Sequence, residues 1–143
     1  MKNEIKKIKL VTNILCYGPE PKPNEEVEQR LTLDKMGRVW FYSYNFGHGF
    51  HGFELKSSSR KSVDKEKVNL FFNHLQQYFE RERKDCFLTD VGAWTLHITY
   101  EDGKVAQYTG SIGQENKVDG MDLSNELRLL MQNKDLFAFD GNC

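Results

Sequence analysis

Apolar and polar positions alternate in several stretches of this chain, while one stretch follows a helical period instead. The clearest alternation runs from Ala93 to Gly110. There Trp94, Leu96, Ile98 and Tyr100 interleave with Thr95, His97 and Thr99, the period of two of a strand with one buried face. Glu101-Asp102-Gly103 interrupts the pattern and a second strand follows. The register can be argued from the same pattern. A two-residue turn at Asp102-Gly103 would set Ile98 opposite Gln107 and Leu96 opposite Thr109, mixing polar groups into the apolar face. A three-residue loop with Gly103 left-handed sets Ile98 opposite Ala106 and Leu96 opposite Tyr108. That keeps one face apolar, so the bulged turn is expected.

Ile8, Leu10, Thr12, Ile14 and Cys16 alternate in a first strand, apolar on both sides toward its end as in the interior of a sheet. Residues 18–24, Gly-Pro-Glu-Pro-Lys-Pro-Asn, hold all three prolines and cannot continue a ladder, so they read as an exposed loop within a domain. Val27 to Leu33 reads as a second strand, with turn chemistry at Asp34-Lys35-Met36-Gly37. The third strand, Arg38 to Phe46, carries Trp40, Tyr42, Tyr44 and Phe46 on one side and Val39, Phe41 and Ser43 on the other. A fourth is expected over Phe53 to Ser59, and another around Cys86 to Thr89 ahead of the hairpin.

The helical period appears where Val68, Phe71, Phe72, Leu75 and Phe79 fall at i, i+3, i+4, i+7 and i+11, behind a cap at Ser62 or Asp64. Leu123, Leu127, Leu130 and Met131 mark a shorter helix with Asp122 as its cap. Leu136, Phe137 and Phe139 would pin the end of the chain to the core. The order is β-β-β-β-α-β-β-β-α. It predicts an α+β fold in which a mainly antiparallel, curved sheet of about six to seven strands carries two helices on one face. The whole of residues 1–143 reads as a single domain.

Composition adds bounds. Hydrophobic residues make up only 38% of the chain but aromatics 13%, so the core rests on few, large side chains. A net charge of −1 exerts no global pull on nucleic acid or anionic lipid. Lys2, Lys6, Lys7 and Lys9 crowd one end against Glu4, and Glu20, Glu25, Glu26 and Glu28 crowd another stretch; both read as solvated faces. Three cysteines (Cys16, Cys86 and Cys143) without a CxxC spacing argue against a disulfide framework or a cysteine-rich zinc site. With no apolar run long enough for a leader or a membrane span, a cytoplasmic protein is expected.

Candidate chemistry concentrates in residues 45–53. Gly47, Gly49 and Gly52 permit close approaches there, and His48 and His51 sit among Phe46, Phe50 and Phe53. Two histidines three apart could share a metal or supply an acid–base group, but no carboxylate cluster or third ligand is near in sequence. Trp40 and Tyr44, with Phe41, Tyr42 and Ser43 between them, could form a stacking platform. The RNA-recognition pattern is not matched, however, and basic support is confined to Arg38 and the sequence-distant Lys56, Arg60 and Lys61, so the pattern argues against nucleic acid. His97 falls among threonines on the polar side of its strand, and His74 at the apolar edge of the first helix. Ser111 lacks the Gly-x-Ser-x-Gly elbow.

No catalytic constellation stands out. The expected function is a non-enzymatic binding or protein-interaction module that engages a protein or small ligand through Trp40, Tyr44, His48, Phe50 and His51. No cofactor is implied, and the chain would act as a monomer or homodimer. The alternative is a small enzyme with a histidine-centred site in residues 45–53, with His48 and His51 as metal candidates.

Overall fold

The computed structural model describes residues 4–13, 26–46, 53–80, 92–112, 117–118 and 121–139. Six strands form one open antiparallel sheet: β1 (Ile5–Asn13), β2 (Glu26–Asp34), β3 (Arg38–Phe46), β4 (Phe53–Ser62), β5 (Ala93–Tyr100) and β6 (Val105–Ser111). Their spatial order is β4-β3-β2-β1-β5-β6, so the first strand is internal, as expected from its apolar character on both sides toward its end. Two helices, α1 (Lys65–Glu80) and α2 (Leu123–Met131), complete an α+β fold.

Among the described residues the sheet has six strands, within the six to seven expected. A separate two-stranded ladder, β7 (Lys117–Val118) with β8 (Met121–Asp122), stands between β6 and α2, where the sequence shows no strand pattern. Two residues per strand are too few to show an alternation. The segment expected as a strand around Cys86 to Thr89, the proline-rich residues 18–24 and all three cysteines lie outside the described residues.

The hairpin between β5 and β6 has the bulged register. Ile98 pairs with Ala106 and Leu96 with Tyr108. Gly103 sits at φ +88°, its N–H donating to the Tyr100 carbonyl at 3.0 Å, while Lys104 N donates to Asp102 Oδ1 at 2.9 Å. The β2–β3 turn is built alike. Gly37 has φ +87°, and Asp34 Oδ1 accepts from Met36 N at 3.0 Å and Arg38 N at 2.9 Å. β4 runs three residues past its predicted end, through Arg60, Lys61 and Ser62. As the last strand of the sheet among the described residues it pairs with β3 alone, and the ladder needs no apolar side chain to continue.

One face of the sheet is the core face. Ile8 and Leu10 of β1, Leu31 and Leu33 of β2, Val39 of β3 and Trp94, Leu96 and Ile98 of β5 are buried there. The α1 stripe (Val68, Phe71, Phe72, Leu75, Phe79) and Leu123, Leu127, Leu130 and Met131 of α2 join the same cluster. Each such side chain contributes roughly 1.5–3 kcal/mol on burial, which offsets the conformational cost of ordering helices this short. Trp94 lies edge-on to Phe139 at 5.0 Å and to Phe79 at 5.9 Å. Asp64 caps α1 through Glu66 N at 3.0 Å, and Asp122 caps α2 through Ser124 N at 2.8 Å and Asn125 N at 3.3 Å. His74 joins the helices, its Nδ1 lying 2.8 Å from Glu126 Oε1.

Beyond α2 the chain turns back under the sheet. Thr12, Gln29 and Ser43 form one register row of polar side chains on the core face. That row is where the tail crosses. Thr12 Oγ1 donates to the Ala138 carbonyl, Gln29 Nε2 donates to the Asp135 carbonyl at 3.1 Å, and Phe137 N donates to Gln29 Oε1 at 2.7 Å.

Candidate functional site

Because both helices and the tail occupy the core face, the opposite face of the sheet carries no helix among the described residues. The alternation of every strand places its polar set there. Register rows show how these residues meet. Trp40 lies between Arg60 of β4 and Thr32 of β2, and the row continues through Lys9 and His97 to Gln107. The next row runs Ser58, Tyr42, Arg30, Val11, Thr95, Thr109. Tyr44 falls one row further, between Leu55 and Glu28.

Trp40 and Tyr44, two of the five residues singled out from sequence, therefore share this uncovered face with Tyr42. Both are half-buried, and Tyr42 is exposed. His48, Phe50 and His51 lie outside the described residues, so the structure does not speak to whether they join Trp40 and Tyr44. At the near end of residues 45–53, Asn45 Oδ1 is buried without a hydrogen-bond partner among the described residues. No group of three or more metal-ligating side chains occurs among the described residues.

Ion pairs organise the face. Glu28 is buried, and its Oε2 accepts from Arg30 Nε at 2.9 Å while its Oε1 accepts from Asn13 Nδ2 at 3.3 Å. The Arg30 guanidinium lies 4.5 Å from the centre of the Tyr44 ring. Asp34, also buried, pairs with Arg38 Nε at 2.6 Å, and Arg38 reaches over the Trp40 ring at 5.9 Å. Two buried carboxylates thus hold two arginines against two aromatic rings. Sequence reasoning passed over Arg30, took Asp34 only as turn chemistry and set Glu28 on a solvated acidic face, whereas Glu28 is buried by its pairing with Arg30 and Asn13. The signal was available in parity, since Glu28, Arg30, Thr32 and Asp34 share one side of β2 while Gln29, Leu31 and Leu33 share the other.

At the corner where β1, the β2–β3 turn and β5 meet, the face deepens into a pocket of about 280 Å³. Lys6 and Lys7 of β1, Asp34, Lys35 and Met36 of the turn, Arg38 and Trp40 of β3 and Thr99 of β5 line it. The β-bulge in the β1–β5 ladder between Ile5 and Lys7 leaves both Lys6 and Lys7 exposed beside it. Lys35 pairs with Glu101. That hydrogen bond is the main reason its ammonium is held above the ordinary lysine value; desolvation opposes it, and the charges of Glu101 and Glu4 add smaller support. On the core side, a second concavity of about 40 Å³ lined by Phe41, Lys61 and Met131 has room for little more than water.

No known protein family matches the chain by sequence, and no curated protein is similar to it. No helix among the described residues is long and apolar enough to cross a membrane.

Proposed function

We propose that the protein is a non-catalytic binding module whose contact surface is the uncovered face of its sheet. The observation that carries this reading is the row Trp40, Tyr42, Tyr44. Three aromatic side chains stand on a face that carries no helix among the described residues, and arginines anchored by buried carboxylates hold two of them in place. Pre-ordered aromatic and arginine groups are the side chains that carry most binding energy at contact surfaces, because little entropy remains to be lost on docking. Glu28 and Asp34 are occupied in this ordering, so the described acid groups of the face serve structure.

The partner is a protein or a small ligand, and the chain works as a monomer or homodimer in the cytoplasm. Tyr42 and Leu55 are exposed and contribute to no core contact, so the double substitution Tyr42→Ser, Leu55→Ser leaves the fold intact. Quantitative affinity capture with the full chain should show partners retained by the wild type falling about tenfold or more in this variant. If a second copy covers the face, light scattering will show the variant shifting from dimer to monomer. An unchanged capture profile together with an unchanged mass rejects the reading.

A further inference from the structure

Resting on that reading and narrowing it to one corner of the face, we propose that the Lys6–Lys7–Lys35–Arg38 pocket binds a phosphate monoester carried on a planar ring. Nucleoside monophosphates are the simplest members of that class.

Charge comes first. Four cationic side chains line the pocket against one carboxylate, Asp34. That carboxylate is already committed to Met36 N, Arg38 N and Arg38 Nε, which define the turn. The other nearby acid groups, Glu101 and Glu4, lie beside Lys35 and keep it protonated. Among the described residues, Lys6 and Lys7 have no acidic partner. The local excess of positive charge is therefore carried by side chains free to turn onto a ligand.

A carboxylate would bring one negative charge, whereas a phosphate monoester brings about −1.5 to −2 and three acceptor oxygens. Ammonium groups on the two sides of the pocket and the Thr99 hydroxyl supply donors for several oxygens at once. An isolated phosphate would not use the rest of the lining. Trp40 contributes an indole to the lining, and Met36, 55% exposed, an unburied thioether side chain. A flat ring packed between them would shield apolar surface that otherwise faces water. Size sets the upper limit. At about 280 Å³ the pocket falls just below the range of about 300–1,000 Å³ usual for ligand sites, which limits it to one ring and one phosphate.

The test is isothermal titration of the full chain with adenosine monophosphate, inorganic phosphate, adenosine and a 5′-phosphorylated single-stranded oligonucleotide. Saturable one-to-one binding of the monophosphate is expected, at least tenfold tighter than either phosphate or adenosine alone. The exposed double substitution Lys6→Gln, Lys7→Gln should weaken it about tenfold or more with an unchanged circular dichroism spectrum. An oligonucleotide that binds no tighter than the monophosphate identifies the free small molecule as the source; one that binds much tighter, still through Lys6 and Lys7, identifies the strand terminus. The proposal is overturned if the monophosphate does not saturate by about 1 mM, if phosphate alone binds as well, or if the lysine variant binds normally. Such a failure leaves the capture profile of the Tyr42→Ser, Leu55→Ser variant unaffected, so loss of the pocket and loss of the contact face are separable results.

Discussion

Three glycines show how differently one residue type can be used. Gly103 needs only its backbone freedom: at φ +88°, an added Cβ would meet nothing within 4 Å. Gly110 needs only space, because a Cβ there would come within 2.5 Å of Trp94 Cζ2 and 2.7 Å of Cε2, on a ring held edge-on to Phe79 and Phe139. Gly37 needs both, with φ +87° and the Val63 carbonyl oxygen 2.2 Å from the added atom. That carbonyl belongs to a residue whose N–H is bonded to Gly37 O at 2.8 Å, so neither partner can move alone. Denaturant unfolding should rank the alanine variants accordingly: about 1 kcal/mol lost for Gly103→Ala, about 2 for Gly110→Ala and about 3 or more for Gly37→Ala. A Gly110→Ala protein no less stable than Gly103→Ala would show that Trp94 does not occupy the space above β6. The need at Gly103 could be read from its turn; the need at Gly110 could not, since its constraint comes from a side chain on the neighbouring strand.

The elements most legible in the sequence are those whose evidence is local and periodic. Helix α1 announces itself by a five-residue stripe that is entirely buried, and helix α2 by an aspartate cap. Replacing Asp122 by alanine leaves Ser124 N and Asn125 N without their acceptor and should cost about 1 kcal/mol. Amide exchange should quicken at those two positions while the hairpin stays protected; uniform quickening would mean that the cap holds the whole fold rather than α2. The β5–β6 register was legible for a comparable reason, because only one pairing keeps Leu96 and Ile98 among apolar neighbours. Strand β4 was not fully legible. Its last residues, Arg60-Lys61-Ser62, carry no alternation, and their place in the ladder is set by backbone hydrogen bonds to β3. The ladder β7–β8 escaped notice for lack of length.

On the scale of the molecule, the fold closes through its C-terminal tail. Gln29 is buried on the core face and its amide group serves the tail twice, donating to Asp135 O and accepting from Phe137 N. Arg128 adds a bond from Nε to Leu136 O at 2.7 Å, and Ser124 Oγ accepts from Phe139 N at 3.1 Å. Ala138, in the left-handed region at φ +51°, is buried and held through Thr12. Gln29→Ala should therefore cost about 1–3 kcal/mol, since it strands a buried N–H. Loss of exchange protection at Phe137 and Phe139 ahead of global unfolding would locate the damage. Protection lost first in β4 instead would refute the assignment of Gln29 as the tail's anchor. The candidate site obeys the same logic in reverse. Because the tail and helices fill the core face, no helix among the described residues covers the aromatic side of β3.

By itself the sequence determined β2, β3 and the β5–β6 hairpin with its bulged turn, the inward and outward faces of these strands, the two helical stripes and the Asp122 cap. Each follows from interactions between residues close in the chain or from a periodicity that needs no knowledge of neighbours. It also placed Trp40 and Tyr44 together on one side of β3. Only the tertiary structure decided which strands stand side by side. That order sets Arg60, twenty residues on, opposite Trp40, and Lys7 between Asp34 and Thr99. Backbone hydrogen bonds between strands are chemically alike whatever the sequence, so the order is chosen by how the whole set of apolar faces can be buried at once. A pocket made from β1, a turn, β3 and β5 is a product of that collective choice, which no local pattern could reveal.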